Sequence, residues 1–154
     1  MVVPFSFDTL KHELLIAKLN AYSFTHSSLC LLYSYLSNRW QRTKNNNAFS
    51  SWTEILQGVP QCSILGPLLF NIYLNDLFFI DIESDLCNFA DDNTLHVCDL
   101  SLNVLVDKLE TSAKSVIKWF EYNYMKLNES KCKLLISGNK EEVIIASVGD
   151  VKII

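Results

Sequence analysis

The sequence predicts an α+β fold, in which helices pack on one face of an antiparallel sheet. Two observations support this prediction. From the central helix onward the patterns are helix, strand, strand, helix and strand, and a strand at the N-terminus would complete the order βαββαβ. The longest pattern is a helical one, with apolar residues between positions 102 and 120. A chain of 154 residues has room for one such domain, or for part of a larger protein.

A strand and two short helices are predicted near the N-terminus. Residues 2–7 are expected to supply the first strand of the sheet. Asp8 is a good N-cap for a helix, and Ser27 is a good N-cap for the next one. Apolar side chains at helical spacing follow each cap, at Leu10, Leu14, Leu15 and Leu19 in the first helix and at Leu29, Leu32, Tyr35 and Leu36 in the second.

A hairpin and a buried helix are predicted in the middle of the chain. Residues 40–43 and 48–52 flank an Asn-rich turn, which is the pattern of two antiparallel strands joined by a short loop. Pro67 suits the first turn of a helix, because the N–H that proline lacks is not needed there. This helix is apolar on more than one side as far as Leu77, so we expect it to be well buried.

A second hairpin is predicted around a pair of aspartates. Residues 86–90 and 94–98 are short β-prone runs, and the sequence Asp91-Asp92-Asn93 between them suits a tight turn. We therefore expect two carboxylates at the tip of this hairpin.

The longest helix is predicted to begin after Ser101, which is a good N-cap. Further strands are predicted at residues 132–136 and 143–145. The chain stops without a turn or a cap, so we expect the complete protein to continue beyond it. The apolar stripe of the long helix, which we expect to lie in the core, includes Leu105, Leu109, Val116 and Phe120.

Composition excludes several classes of protein. Hydrophobic residues make up 49% of the chain and charged residues 19%, which is typical of a folded domain and far from a disordered one. No apolar run reaches the roughly 18 residues that a membrane span needs, and the N-terminus lacks a signal-peptide pattern. We therefore expect an intracellular protein with no membrane partner.

The cysteines are expected to be free, buried thiols. Their number, five, is odd. No CxxC pair is present and no His stands at zinc spacing from them, which argues against disulfides and structural zinc. The residues are Cys30, Cys62, Cys87, Cys98 and Cys132.

The charge balance restricts how the chain could bind nucleic acid. A net charge of −4 is unsuited to a protein whose whole surface binds nucleic acid, but it is compatible with a local basic groove. Arg39, Arg42 and Lys44 form one candidate contact, although such residues are equally typical of ordinary solvated surface.

The adjacent aspartates Asp91 and Asp92 suggest a divalent cation. Two carboxylates held side by side repel each other unless a cation neutralises them. Hard oxygen ligands without a neighbouring His or Cys favour Mg²⁺ or Mn²⁺. The alternative is a solvated turn, because Asp and Asn are also good turn residues.

Three ordered motifs carry a resemblance to a known family. Residues 58–71 read GVPQCSILGPLLFN, residues 89–92 read FADD and residues 125–132 read MKLNESKC. Each is similar to a motif of the reverse transcriptases of non-LTR (LINE-type) retrotransposons. Residues 6–9, SFDT, resemble the end of that family's first palm motif.

The resemblance implies a palm-type fold, that is, a split βαββαβ (ferredoxin-like) antiparallel sheet with helices packed on one face. Residues 1–137 are then expected to form the palm core, and residues 138–154 the start of a connection to a thumb. The implied activity is RNA-directed DNA polymerisation by two-metal nucleotidyl transfer, with Mg²⁺ or Mn²⁺ as cofactor. The implied partners are an RNA template, a DNA primer and dNTPs, and no oligomeric state is predicted.

The resemblance also implies catalytic roles for three residues. Asp91 and Asp92 match the catalytic metal ligands of the family. Lys131 matches, less closely, a lysine near the leaving pyrophosphate, and the alternative is that it is simply solvated.

Substrate contacts are implied at four further positions. Phe89 and Ala90 belong to the same motif as the aspartates. Gln61 would lie beside the incoming nucleotide and template, or else only cap a loop. Phe7 matches the ring that blocks a ribose 2′-OH and so favours deoxynucleotides, or else it is a core residue.

Two departures from the family's pattern indicate a damaged active site. Val2 stands where the family has the first-motif aspartate, and valine cannot bind a metal. Cys62 stands where the family has glycine after Pro-Gln, and its Cβ restricts the backbone. We therefore expect a polymerase fragment that is inactive as an isolated chain; the alternative is a non-catalytic palm-fold remnant that binds nucleic acid or protein.

Overall fold

The structure, a computed structural model, describes residues 6–89, 92–127, 132–135, 146–148 and 151–153. These residues belong to two compact units. The first unit extends to Asn75, and the second begins at Asp76.

The first unit combines helices with short paired strands. Its core includes Leu15 and Leu19 of one helix and Phe70 and Tyr73 of another, all at most 1% exposed. Lys18 donates to the backbone oxygen of Tyr73 at 2.6 Å, which ties these two helices together. The elements are α1 (Ser6–Thr9), α2 (His12–Ala21), α3 (His26–Leu36), β1 (Trp40–Gln41), β2 (Lys44–Asn45), β3 (Ala48–Phe49), β4 (Thr53–Glu54) and α4 (Leu65–Leu74).

The strand predicted at residues 2–7 is wrong for residues 6 and 7. Residues 2–5 lie outside the described residues. Residues 6 and 7 belong to the helical turn α1. The predicted start of the next helix at Asp8 is also wrong, because α2 begins at His12 with Lys11 as its N-cap. Lys11 is extended, with ψ at 120°, and forms a β-bridge with Gln57, so the chain leaves helical geometry between α1 and α2.

The helices α3 and α4 confirm their predicted positions. Thr25 rather than Ser27 is the N-cap of α3, and its hydroxyl accepts from the N–H of Ser28 at 3.4 Å. Pro67 lies in the first turn of α4, as predicted. The predicted burial of α4 is also confirmed, because Leu69, Phe70, Tyr73 and Leu74 are at most 2% exposed.

The first predicted hairpin is confirmed, although it is split into two short ladders. Trp40 pairs with Glu54 in the outer ladder, and Lys44 pairs with Phe49 in the inner one. Asn46, in the turn, adopts a φ of 52°, a left-handed conformation that asparagine tolerates better than most residues.

The second unit contains the other predicted hairpin. Its strands pair antiparallel from Asp85↔His96 to Phe89↔Asp92. The second strand begins at Asp92, so Asn93 lies in the strand and not in the turn. The predicted tip at Ala90 and Asp91 lies outside the described residues. The elements after α4 are a 3₁₀ helix (Asn75–Phe79), β5 (Asp85–Phe89), β6 (Asp92–His96), α5 (Leu102–Tyr122), β7 (Ala146–Val148) and β8 (Val151–Ile153).

Asn93 is fixed in β6 by a contact across the hairpin. It is 1% exposed, and its side-chain oxygen accepts from the amide of Asn88 at 3.0 Å. A buried polar side chain needs such a partner, which explains why a residue typical of turns is stable inside a strand.

The long helix α5 is confirmed and contacts both β6 and β7. Val116 and Phe120 are fully buried, whereas Leu105 and Leu109 are only half-buried. Before the helix, the Ser101 N–H donates to the Asp99 carboxylate at 2.9 Å, and this bond, together with Lys108, holds the pKa of Asp99 below its ordinary value.

The α+β class is confirmed, while the continuous βαββαβ sheet stays a prediction. Each ladder among the described residues pairs two strands only. The strand predicted at residues 132–136 is wrong for residues 132–135, which are irregular. The strand predicted at residues 143–145 lies outside the described residues, and the pairing of β7 with β8 was not predicted.

The cysteines are free, but the prediction that they are buried is wrong: Cys132 is partly exposed and the others are exposed. In the part of the chain that the structure describes, no helix combines the length and the apolar character that crossing a membrane requires.

A buried charge in α5 should unfold the second unit. We expect Val116→Asp to lower the free energy of unfolding by about 3 kcal/mol or more, because Val116 is fully buried and the burial of a charged carboxylate is costly. Urea denaturation measures the change. The matched control is Val104→Asp on the same helix, where the side chain is 41% exposed. If the two variants are equally stable, Val116 does not lie in the core.

Candidate functional site

The loop that carries Gln61 is fixed to the chain around Asp8. Gly58 has a φ of 81°, and a Cβ at this position would lie 2.7 Å from the Cα of Asp8. Only glycine fits so close an approach. The Gly58 N–H donates to Leu10 at 2.8 Å, and the Val59 N–H donates to Phe7 at 2.9 Å. Residues on either side of Asp8 are therefore bonded to the start of the loop.

The carbonyl of Gly58 is held by two side chains from other elements. His12 approaches it with Nε2 at 2.8 Å, and Arg39 donates to it from Nη2 at 2.7 Å. His12 can bond to a carbonyl only if Nε2 carries a hydrogen. Arg39 also donates to Leu36 at 2.9 Å. The guanidinium of Arg39 thus supports the fold, and its contact with nucleic acid stays a prediction.

Gln61 projects from the loop and is oriented by Asp8. Its Nε2 donates to both carboxylate oxygens of Asp8, each at 3.0 Å. Because a carboxylate only accepts hydrogen bonds, the amide nitrogen must face Asp8. The side-chain oxygen of Gln61 then points elsewhere and has no partner among the described residues. That oxygen can accept a hydrogen bond from a ligand.

An open cleft of about 540 Å³ lies beside this pair. Its lining includes the carboxylates of Asp8 and Glu54, and no lysine or arginine occurs among the described residues that line it. A triphosphate would be repelled here unless a cation accompanied it. The lining residues are Asp8, Gln41, Glu54, Ile55, Leu56, Gln57 and Gln61.

Phe7 is packed against the helix α4. Its ring stacks on Phe70 with a centroid distance of 4.5 Å and an interplanar angle of 26°. The side chain is half-buried, which agrees with the core alternative for this residue. Its role in selecting deoxynucleotides stays a prediction.

Cys62 adopts a strained conformation. Its φ is 58°, in the left-handed region that a residue with a Cβ rarely occupies. The following turn holds the chain in place, because the Ser63 hydroxyl donates to Pro60 at 2.6 Å and accepts from the Gly66 N–H at 3.0 Å. Glycine, which the related motif has at this position, would take the same conformation without a Cβ penalty.

The described part of the second hairpin ends in two exposed residues. Phe89 is 85% exposed and closes β5, and it pairs with Asp92 at the start of β6. Asp92 is exposed, and its carboxylate has no hydrogen bond or ion pair to a described residue. The other predicted site residues of this region, Ala90, Asp91 and Lys131, lie outside the described residues.

The carboxylate of Asp92 is a ligand of the type that binds a divalent cation, but one carboxylate is too few to hold the ion. An exposed carboxylate without a cationic partner is the hard oxygen donor that Mg²⁺ and Mn²⁺ prefer. The described residues contain no group of three His, Cys, Asp or Glu side chains that could hold a metal ion. Asp91, its neighbour in sequence and the other predicted ligand, lies outside the described residues.

Sequence reasoning missed the contact between Asp8 and Gln61. Asp8 was assigned as a helix cap, which is the common role of an aspartate before an apolar helical pattern. The two residues are 53 positions apart, so no local pattern links them. Only the short distance from Gly58 to Asp8 in the fold brings the two side chains together.

Comparison with known proteins identifies relatives over most of the chain. Residues 5–146 match the family model described as reverse transcriptase (RNA-dependent DNA polymerase). The chain is 31% identical over 105 residues to a probable RNA-directed DNA polymerase from transposon X-element of Drosophila melanogaster, a match covering 66% of this chain. It is 28% identical over 133 residues, 82% of this chain, to a probable RNA-directed DNA polymerase from transposon BS of the same organism. These matches span only 12% and 15% of the two relatives.

Replacing Cys62 by glycine should stabilise the first unit. We expect Cys62→Gly to raise the free energy of unfolding by about 1 kcal/mol, because the left-handed conformation is costly for a residue with a Cβ. Thermal and urea denaturation measure the gain. Cys62→Ala is the matched control, since it removes the thiol and keeps the Cβ. If alanine stabilises the protein as much as glycine does, the thiol rather than the backbone is responsible.

Proposed function

The chain belongs to the reverse transcriptase family, and we propose that it is the palm portion of an RNA-directed DNA polymerase of a non-LTR retrotransposon. The observation that carries this proposal is the family match over residues 5–146, together with the similarity to two transposon polymerases. The proposed reaction joins a dNTP to a DNA primer, with RNA as template. The primer 3′-OH attacks the α-phosphate, and pyrophosphate leaves.

The proposed metal ligands are Asp91 and Asp92. Their adjacent carboxylates repel each other, and a bound divalent cation removes this repulsion. When bound, Mg²⁺ or Mn²⁺ supplies positive charge that lowers the pKa of a 3′-OH and neutralises phosphate oxygens. The exposure of Asp92 and its lack of a cationic partner among the described residues support this assignment.

The proposed nucleotide contact in the first unit is Gln61. Asp8 holds the amide nitrogen, so the side-chain oxygen is presented as an acceptor in a fixed orientation. Such preorganisation favours binding because little side-chain freedom is lost when the ligand arrives. Asp8 is thus a positioning residue in this proposal.

The remaining assignments follow the family resemblance. Phe7 would exclude a ribose 2′-OH, and Lys131 would neutralise charge on the leaving pyrophosphate. Phe89 and Ala90 would contact the substrate beside the aspartates. The 85% exposure of Phe89 is compatible with such a contact.

A second candidate function is a palm-fold remnant without catalysis, which binds nucleic acid or protein. The strained φ of 58° at Cys62 favours it, because the family's motif has glycine at the point where the backbone approaches the nucleotide. Val2 favours it as well, since it replaces a metal-binding carboxylate. Binding of dNTP that depends on Mg²⁺ distinguishes the polymerase fragment from the remnant.

We expect weak binding of a single divalent ion through Asp91 and Asp92. Asp92→Asn should weaken Mn²⁺ binding at least tenfold, or about 1.4 kcal/mol, measured by electron paramagnetic resonance of free Mn²⁺. Asp85→Asn is the matched control, because this carboxylate is 90% exposed at the opposite end of the same hairpin. Val2→Asp, which restores the family's carboxylate, should strengthen both Mn²⁺ binding and Mg²⁺-dependent dNTP binding. Equal losses in Asp92→Asn and Asp85→Asn would contradict the assignment.

We expect no primer extension by the isolated chain on an RNA template, with either Mg²⁺ or Mn²⁺. Without a carboxylate at position 2, two metal ions cannot both be held, and electrostatic stabilisation is usually the largest catalytic contribution. The Asp91→Asn variant sets the background of the assay. Extension above that background would show that another residue replaces the missing ligand, and Asp8 would be the first to examine.

A further inference from the structure

We propose that the hairpin of residues 40–54 is a docking surface for single-stranded nucleic acid, whose bases stack on its exposed aromatic rings. We call this segment the aromatic hairpin. Its three large rings are more than half exposed: Trp40 by 56%, Phe49 by 51% and Trp52 by 57%. Several solvent-exposed aromatic rings on one short hairpin indicate an interaction surface, because rings in this position contribute little to a buried core.

Two cations lie over two of these rings, Phe49 and Trp52. The Arg42 guanidinium carbon is 4.0 Å from the ring centre of Phe49 and 4.6 Å from that of Trp52. The Lys44 ammonium is 5.6 Å from the ring centre of Phe49. Neither cation forms a hydrogen bond or ion pair with a described residue. Their charges are therefore available to phosphates while the rings offer flat surfaces to bases.

A bulge in the hairpin brings Phe49 and Trp52 to the same side. From Trp40 to Lys44 the first strand advances four positions, whereas from Phe49 to Glu54 the second advances five. The second strand thus contains one extra residue. Residues three apart on a regular strand point to opposite faces, but the extra residue reverses this relation.

Ser50 holds the bulge in place. Its hydroxyl accepts from the Thr43 N–H at 2.9 Å, and its own N–H donates to the Thr43 carbonyl at 2.9 Å. Both bonds continue the register of the inner ladder, so the extra residue enters between Ser50 and Thr53. The path of the backbone consequently places the rings of Phe49 and Trp52 on the side where Arg42 lies.

Charge favours nucleic acid over a protein partner. The aromatic hairpin carries Arg42 and Lys44 against the single acid Glu54, whereas the whole chain has a net charge of −4. Positive charge combined with exposed rings is the pattern with which proteins bind single strands without strong sequence preference. The choice of partner rests on the proposed function, but the binding does not require Asp91 or Asp92.

Fluorescence anisotropy of labelled oligonucleotides tests this proposal on the full chain. The probes are oligouridylate and oligothymidylate of about 15 nucleotides, a length close to the upper end of the usual site size of single-strand-binding proteins. The two probes distinguish binding of RNA from binding of DNA. We expect Trp52→Ala to weaken binding of the preferred strand roughly tenfold. The matched control is Tyr33→Ala, since this ring is 53% exposed in the same unit.

Two further variants separate stacking from charge. Arg42→Gln should reduce the slope of log affinity against log salt by about one, because one phosphate contact is lost. Lys118→Gln, at an exposed position of α5, should leave the slope unchanged. Tryptophan quenching gives an independent readout, because Trp40 and Trp52 are exposed and the remaining tryptophan, Trp119, is 8% exposed.

Several results would overturn the proposal. The wild-type chain could fail to bind either single strand, or duplex RNA could bind as tightly as the strands. Equal losses in Trp52→Ala and Tyr33→Ala would place the binding elsewhere. Oligonucleotide binding by the wild-type chain should persist when EDTA removes divalent cations, so failure of the metal assignment and failure of this proposal are distinguishable. Circular dichroism of each variant shows that the fold is retained.

Discussion

The backbone of Gly58 makes three hydrogen bonds to distant parts of the first unit. Its carbonyl accepts from His12 at 2.8 Å and from Arg39 at 2.7 Å, and its N–H donates to Leu10 at 2.8 Å. Hydrogen bonds from a charged donor are about twice as strong as neutral ones, and a buried carbonyl left without a partner costs about 1–3 kcal/mol. The absence of a Cβ lets this peptide lie against Asp8. The start of α2, the end of α3 and the loop before α4 are therefore mutually dependent.

The geometry of the candidate site follows from that anchor. Once Gly58 lies against Asp8, the loop leads Gln61 back over the same aspartate, and the amide and carboxylate meet at 3.0 Å. The turn that follows imposes a left-handed conformation on Cys62. The cysteine at the position where the related motif has glycine is therefore strained by the path of its own backbone.

Local sequence patterns predicted the helices and hairpins well and their boundaries less well. The helices α3, α4 and α5 and both hairpins were predicted from periodicity, caps and turn residues, which act over a few positions. The errors occur where a distant contact decides the local structure: Lys11 is extended because it pairs with Gln57, and Asn93 enters β6 because Asn88 satisfies its buried side chain. The same limit explains the site. The FADD and GVPQ motifs could be found by resemblance, whereas the contact of Asp8 with Gln61 could not.

The first unit has an acidic cleft and a basic aromatic hairpin, and these opposite charges suggest that the two surfaces bind different ligands in the proposed function. The open cleft beside Gln61 is lined by the carboxylates of Asp8 and Glu54, while Arg42 and Lys44 lie on the aromatic hairpin. A polyanion is attracted by the hairpin and repelled by the cleft, so a strand would be drawn to the stacking surface first. If the cleft takes a nucleotide, as the proposed function implies, the phosphates need a counter-cation there, whereas the proposed binding of a strand to the hairpin does not. Glu54 takes part in both surfaces, because it lines the cleft and pairs with Trp40 in the outer ladder. A change at Glu54 therefore alters the potential at both, and its effect on nucleotide binding cannot be separated from its effect on strand binding without the variants of Arg42 and Trp52.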